Sequence, residues 1–305
     1  MQEGSKRAIV AAFVANLGIA IAKLVGFVIT GSAGLLAEAG HSLADTGNQA
    51  LLLLGGRRAA RTADREHPFG YGRERFFWAF VVALVLFSMG GLFALYEGID
   101  KLRHPHETAN LGVAIVILVV AVGLETFSLL TAVRAARQVK AKGTSWWQFI
   151  RRAKSPELPV VLLEDIGAEI GLIFALTGVV LATLTREARW DAVGSIAIGV
   201  LLVIIAVVLA IEMKGLLIGE AATTESESAI SAAIAASPLV ASLIHLRTQH
   251  IGPDELLVGA KIEFKTTLDM TGLAKAINDV EVVIRASVPF HCVIYLEPDL
   301  RYHES

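Results

Sequence analysis

A single cysteine, Cys292, in 305 residues excludes an internal disulfide framework and a multi-cysteine zinc ribbon. Excess charge is missing too. With 27 Lys+Arg against 29 Asp+Glu the formal net charge is −2, so no bulk attraction to nucleic acid follows. No Walker-type phosphate loop occurs, which argues against ATP hydrolysis, and no H-E-x-x-H run marks a zinc hydrolase. A cleavable leader is not expected. The first apolar run, Ala8–Thr30, is longer than a signal core and is interrupted by Asn16 and Lys23, so it reads as a retained spanning helix. What remains is apolar: 54% of residues are hydrophobic and the mean hydropathy is +0.62, too high for an ordinary soluble domain.

A spanning helix needs about 20 mostly apolar residues. Six stretches qualify: Ala8–Thr30, Ala33–Gly56, Phe76–Glu97, Leu111–Val133, Pro159–Leu184 and Asp191–Ile211. Basic residues alternate between their connections. The loop after the second span holds Arg57, Arg58, Arg61, Arg65, Arg73 and Arg75. The fourth-to-fifth connection holds Arg134, Arg137, Lys140, Lys142, Arg151, Arg152 and Lys154. The opposite side carries only Lys101 and Arg103, then Arg186 and Arg189. The positive-inside rule therefore puts both termini in the cytoplasm, with the arginines read as topology determinants and lipid contacts. A multi-pass protein of the plasma or inner membrane is expected. Trp146, Trp147 and Phe149 read as a short interfacial helix.

After Ile211 the pattern changes. Thr223–Ser237 and Leu273–Arg285 have a helical period, whereas Leu243–His250, Leu256–Lys265 and Cys292–Glu297 are strand-like, with Gly252-Pro253 as a turn. The order α-β-β-α-β predicts a small two-layer domain with helices on one face of a three-stranded sheet. Residues 1–215 are thus read as a membrane domain and 221–305 as a cytoplasmic domain. A core of about 80 residues is marginal, which favours dimerisation.

Ionisable residues inside the spans are the informative feature. His41 and Asp45 stand four residues apart in the second span, on one helical face. The fifth span carries Glu164, Asp165 and Glu169. A central charge costs about 2.5–3.5 kcal/mol on insertion scales, so several such groups need a compensating partner. A divalent cation held by imidazole and carboxylates fits. Asn16 and Lys23 are candidate cavity residues, although Lys23 has the length to snorkel. Glu38, near the outer end of the second span, reads as hydrated. Glu125, central in the fourth, reads as a proton carrier or the partner of a buried donor. Asp191 reads as a cap on the sixth span, with a gate role as the other option.

The run Ser32-Ala33-Gly34-Leu35-Leu36-Ala37-Glu38-Ala39-Gly40-His41-Ser42-Leu43-Ala44-Asp45 resembles the second transmembrane helix of the cation diffusion facilitators. His67-Pro68-Phe69-Gly70-Tyr71-Gly72-Arg73 is similar to that family's entry to its third helix. Asp191 and Leu296-Glu297-Pro298-Asp299 sit where it has comparable motifs. The resemblance implies a homodimeric, proton-coupled exporter of divalent metal with six membrane helices and a ferredoxin-like α+β cytoplasmic domain. It implies metal ligands from the second and fifth helices, here His41 and Asp45 with Asp165 and Glu169. The fifth-helix pairing has two forms. Asp165 with Glu169 keeps an i, i+4 spacing; alternatively Asp165 is the second ligand, the first position falls on Val161, and Glu164 completes the site by a local adjustment. One imidazole with three carboxylates suits Zn²⁺ and admits Mn²⁺, Fe²⁺ or Co²⁺. The metal is substrate; no resident cofactor and no enzymatic activity are expected. A membrane metal sensor and an intramembrane metallohydrolase are the alternatives.

In the tail, Tyr295 and Lys261 stand where the family often has histidines. His245, His250, His291 and Glu297 remain without a convincing ligand spacing and the histidines read as surface residues, so dimerisation, not metal binding, is expected of this domain.

Overall fold

The computed structural model describes residues 3–105, 111–140 and 143–300, which leaves Lys142 of the basic set outside the described residues. The chain divides into two compact units, Met1–Arg58 with Phe77–Lys214, and Ala59–Phe76 with Gly215–Ser305.

The first unit is built from long helices: α1 (Glu3–Thr30), α2 (Ala33–Ala59), α3 (Glu74–Val85), a π-helical segment (Leu86–Leu92), α4 (Phe93–Arg103), α5 (Leu111–Val139), the short α6 (Trp146–Arg152), α7 (Glu157–Thr185) and α8 (Arg189–Ile218). Among the described residues four stretches are long and apolar enough to cross a membrane: Glu74–Arg103, Gly112–Val139, Glu157–Thr185 and Arg189–Ile218. A shorter apolar stretch covers Asn16–Thr30. Helix α2 is as long as the others, but Glu38, His41, Ser42, Asp45, Thr46 and Asn48 lower its hydropathy, and all six are buried. A spanning helix polar on its inner face is tolerated when that face meets other helices rather than lipid. Val116, Val119, Val120 and Phe127 on α5, and Ile204 and Val207 on α8, point outward as apolar side chains, as lipid requires.

Small residues let these helices approach closely. A Cβ on Gly178 of α7 would meet Trp190 O of α8 at 2.8 Å, and one on Gly199 of α8 would meet Gly91 O in the π segment at 2.9 Å. Helix α6 begins with a capping box, the Ser145 hydroxyl accepting from the Gln148 amide while the Gln148 side chain accepts from the Ser145 amide.

The second unit holds α9 (Thr224–Ala235), β1 (Val240–Gly252), β2 (Glu255–Phe264), α10 (Met270–Ser287) and β3 (His291–Pro298). The sheet order is β1-β2-β3, with β1 antiparallel and β3 parallel to β2. Strand β2 alternates strictly, burying Leu256, Val258, Ala260, Ile262 and Phe264. Against them pack Ile230 and Ile234 of α9 and Ala276, Val280 and Ile284 of α10, the last three at four-residue intervals on one face. This is the expected two-layer α+β arrangement, and Cys292 lies buried in its core as a free thiol.

The loop Ala59–Phe76 belongs to this second unit. Asp64 organises it, accepting from the amides of Glu66 and His67 through Oδ1 and from the Tyr71 hydroxyl through Oδ2 at 2.6 Å. The phenol's hydrogen bond holds the Asp64 carboxyl below its ordinary pKa. Gly70, at φ 77°, makes the turn that a side chain would strain. The loop's arginines are not only topological signals: Arg61 lies over the Tyr71 ring at 4.4 Å and Arg75 pairs with Asp254 at 2.9 Å.

Candidate metal-binding site in the helix bundle

Helix α2 places Glu38, His41, Asp45 and Asn48 at i, i+3, i+7 and i+10, a single buried stripe. His41 is fully buried, and its Nε2 lies 3.5 Å from Asp45 Oδ2, outside hydrogen-bond geometry. Neither ring nitrogen of His41 nor Oδ1 of Asp45 has a hydrogen-bond partner among the described residues. Opposite His41 lies Gly90 of the π segment, whose Cβ would come within 4.0 Å of Nδ1. Such single π turns interrupt helices frequently at functional sites.

Helix α7 presents Glu164, Asp165 and Glu169 in two directions, as neighbours about 100° apart must. Glu164 falls on the buried stripe with Gly167, Ala168 and Gly171, and its Oε1 accepts from Asn48 Nδ2 of α2 at 2.6 Å. Asp165 and Glu169 turn toward α5. Ser128 Oγ donates to Asp165 Oδ2 at 3.2 Å, and Thr126 Oγ1 lies 2.9 Å from Glu169 Oε1. No group of three or more His, Cys, Asp or Glu side chains is closed to metal-binding distance among the described residues. The arrangement brings His41 to Asp45, and leaves Asp165 and Glu169 each on a hydroxyl of α5.

Several readings change here. Glu38 is not hydrated but wholly buried, and Lys23 does not snorkel: its Nζ donates to Glu38 Oε2 at 3.0 Å and lies 3.7 Å from Glu125 Oε1. Glu125 is therefore the partner of a buried donor. Lys101, counted with an outer loop, is 1% exposed at the end of α4. Asp191 caps α2, accepting from the Ala33 and Gly34 amides at 2.9 and 3.2 Å. Asn48, which holds Glu164, was missed; its signal was its place three residues after Asp45.

In the second unit Lys261 Nζ lies 3.0 Å from both Glu297 Oε1 and Asp299 Oδ2. The lysine itself is the cation for these carboxylates, raised above its ordinary pKa by their hydrogen bonds. His245 and His291 are exposed, whereas His250 is buried with its ring edge-on to Phe290, centroids 5.0 Å apart. His250 is thus a core residue, not a surface one.

Long apolar helices around an inward-facing stripe of imidazole and carboxylates define a multi-pass membrane protein with an intramembrane polar site. The chain belongs to the cation efflux family, the cation diffusion facilitators: the family's model for the cation efflux transmembrane domain matches residues 9–218. Named relatives agree. A mitochondrial proton-coupled zinc antiporter, SLC30A9 of Xenopus laevis, is 34% identical over 251 residues, 82% of this chain and 44% of that protein. Metal tolerance protein C4 of Arabidopsis thaliana is 30% identical over 261 residues, 85% of this chain and 57% of that protein. Zinc transporter ZitB of Pectobacterium atrosepticum is 32% identical over 117 residues, 38% of this chain and 36% of that protein. The chain spans about half the length of the first two.

Proposed function

We propose that this chain exports divalent metal from the cytoplasm in exchange for protons, by alternating access around one mid-membrane site, as a homodimer with both termini cytoplasmic. Residues 1–215 would form the transport domain and 221–305 the dimerisation domain. The observation that carries the reading is the buried His41–Asp45 pair, three of whose polar atoms have no partner among the described residues. An unmet buried group costs about 1–3 kcal/mol, and a cation bound by one imidazole nitrogen and the carboxylate oxygen meets two of the three at once. Asp165 on α7 supplies a further ligand, and Glu169 or Glu164 completes the set.

The coupling follows from the ligand types. Imidazole binds metal only when neutral, and the carboxylates only when ionised, so protons and metal compete for the same atoms. Metal loads where protons are scarce and leaves where they enter. Carbonyl ligands would offer no such exchange. Zinc is the first choice because two relatives carry it in their names, and the carboxylate-rich donors also admit Mn²⁺, Fe²⁺ and Co²⁺.

The test is metal flux into sealed vesicles under an imposed pH gradient. Asp45→Ala and Asp165→Ala each bring flux down to the protein-free level while the chain still inserts and folds. Near-normal transport in either variant would sink the site assignment.

A further inference from the structure

We infer that Lys23 is a tethered cation filling a second carboxylate site, made by Glu38 and Glu125 beside the His41–Asp45 pair, and that it restricts the bundle to one divalent ion. The inference rests on the transport reading and concerns how much metal the same helix bundle accepts.

Three helices converge on the ammonium group. Lys23 of α1 donates to Glu38 Oε2 at 3.0 Å and to Ser42 Oγ at 2.8 Å on α2, and lies 3.7 Å from Glu125 Oε1 on α5. Lys23 is 1% exposed and Glu38 0%, so neither charge is relieved by water. The remaining oxygen of Glu38, Oε1, has no hydrogen-bond partner among the described residues. It is also tightly walled: a Cβ on Gly171 of α7 would stand 2.5 Å from it. A carboxylate held this firmly, with a free oxygen and a second carboxylate nearby, is a donor set for a hard divalent cation.

The position gives the lysine its consequence. Glu38 precedes His41 by three residues on the same face, about 4.5 Å along the helix. Ser42, which Lys23 touches, adjoins His41. Glu38 and Glu125 both face the ammonium of Lys23, one from α2 and one from α5. Without it, the Glu38–Glu125 pair is the next place a divalent ion would settle. An ammonium on a flexible stem fills that place with a single charge and cannot leave.

The experiment uses the full chain in detergent and in sealed vesicles, as wild type, Lys23→Met, Lys23→Arg and the triple variant Lys23→Met/Glu38→Gln/Glu125→Gln. Each is equilibrated with Mn²⁺ or Zn²⁺ and bound metal is counted per chain. Lys23→Met should hold one more Mn²⁺ than wild type, and its Mn²⁺-to-Zn²⁺ flux ratio should rise by about an order of magnitude. Lys23→Arg and the triple variant should keep the wild-type count. Because Lys23→Met strands two carboxylates, its thermal midpoint should fall, and Mn²⁺ should restore it by more degrees than it adds to the triple variant. A wild-type metal count and ranking in folded Lys23→Met overturns the inference. So does a Lys23→Met chain that metal does not rescue while the triple variant folds. A wild-type chain that neither binds nor moves metal would instead overturn the transport reading.

Discussion

Asp191 Oδ2 accepts from Lys101 Nζ at 2.8 Å, with the carboxylate 0% and the lysine 1% exposed. The same carboxylate accepts from the Ala33 and Gly34 amides and the Ser32 hydroxyl, while Lys101 also donates to Gly31 O. One ion pair thereby ties α4 and α8 to the start of the helix that carries His41 and Asp45. A carboxylate at a helix N-terminus satisfies its free amides and favours its dipole.

Breaking this pair on one side leaves a buried charge alone, which costs about 3–5 kcal/mol. Asp191→Ala should lower the thermal midpoint most, because it removes the pair and the cap together. Asp191→Asn keeps an acceptor for the amides and should lose less. Lys101→Met with Asp191→Asn should be milder than Lys101→Met alone. Thermal unfolding of the four variants in one detergent checks the order, and equal midpoints for Asp191→Ala and wild type would contradict the capping role.

His41→Asp should keep transport and move the metal ranking toward Mn²⁺ by about tenfold, because a nitrogen donor is exchanged for an oxygen. Competition between Mn²⁺ and Zn²⁺ in the vesicle assay reads this directly. An unchanged ranking would show that His41 is not a ligand.

Glu164 and Glu169 are separable by amide substitution. Glu164 shares the buried stripe with α2 through Asn48, and Glu169 faces Thr126 of α5. The one that completes the site should lose metal affinity by at least about tenfold as Gln, and the other should keep it. Wild-type affinity in both variants would mean that neither ligates. Asn48→Ala, which frees Glu164, should follow whichever outcome Glu164→Gln gives.

In the tail, His245→Ala with His291→Ala should leave metal count and metal ranking unaltered. His250 is kept in this test, because its burial against Phe290 makes its removal a packing defect. The Lys261–Asp299 pair has a defined pH window. Lys261 holds the Asp299 carboxyl below its ordinary value, so that stabilisation is present above about pH 4 and fades as pH falls through the lowered value. Lys261 is raised, so its share is present below about pH 10 and is lost above that. Unfolding of wild type and Lys261→Met should therefore differ equally at pH 5 and pH 9, by a small amount that salt diminishes, since both groups are solvent-screened. A difference that grows from pH 5 to pH 9 would refute the pairing.

Much of the architecture was legible because it depends on local patterns. Apolar runs of spanning length, the alternation of β2 and the four-residue rhythm of α10 are properties of consecutive residues, and each element formed where its pattern lay. His41 and Asp45 were legible as a pair because a helix puts i and i+4 on one face, whatever surrounds it. The partners across helices were not. Lys23 lies 15 residues from Glu38, Asn48 116 from Glu164, and Asp191 158 from Ala33. No spacing encodes such meetings. They are decided by the rotation of each helix about its axis, which close-packed glycines fix once the bundle assembles. That rotation turned Glu164 toward α2 and Asp165 toward α5, and it placed the ammonium of Lys23 between two carboxylates where sequence alone left it free to reach for water.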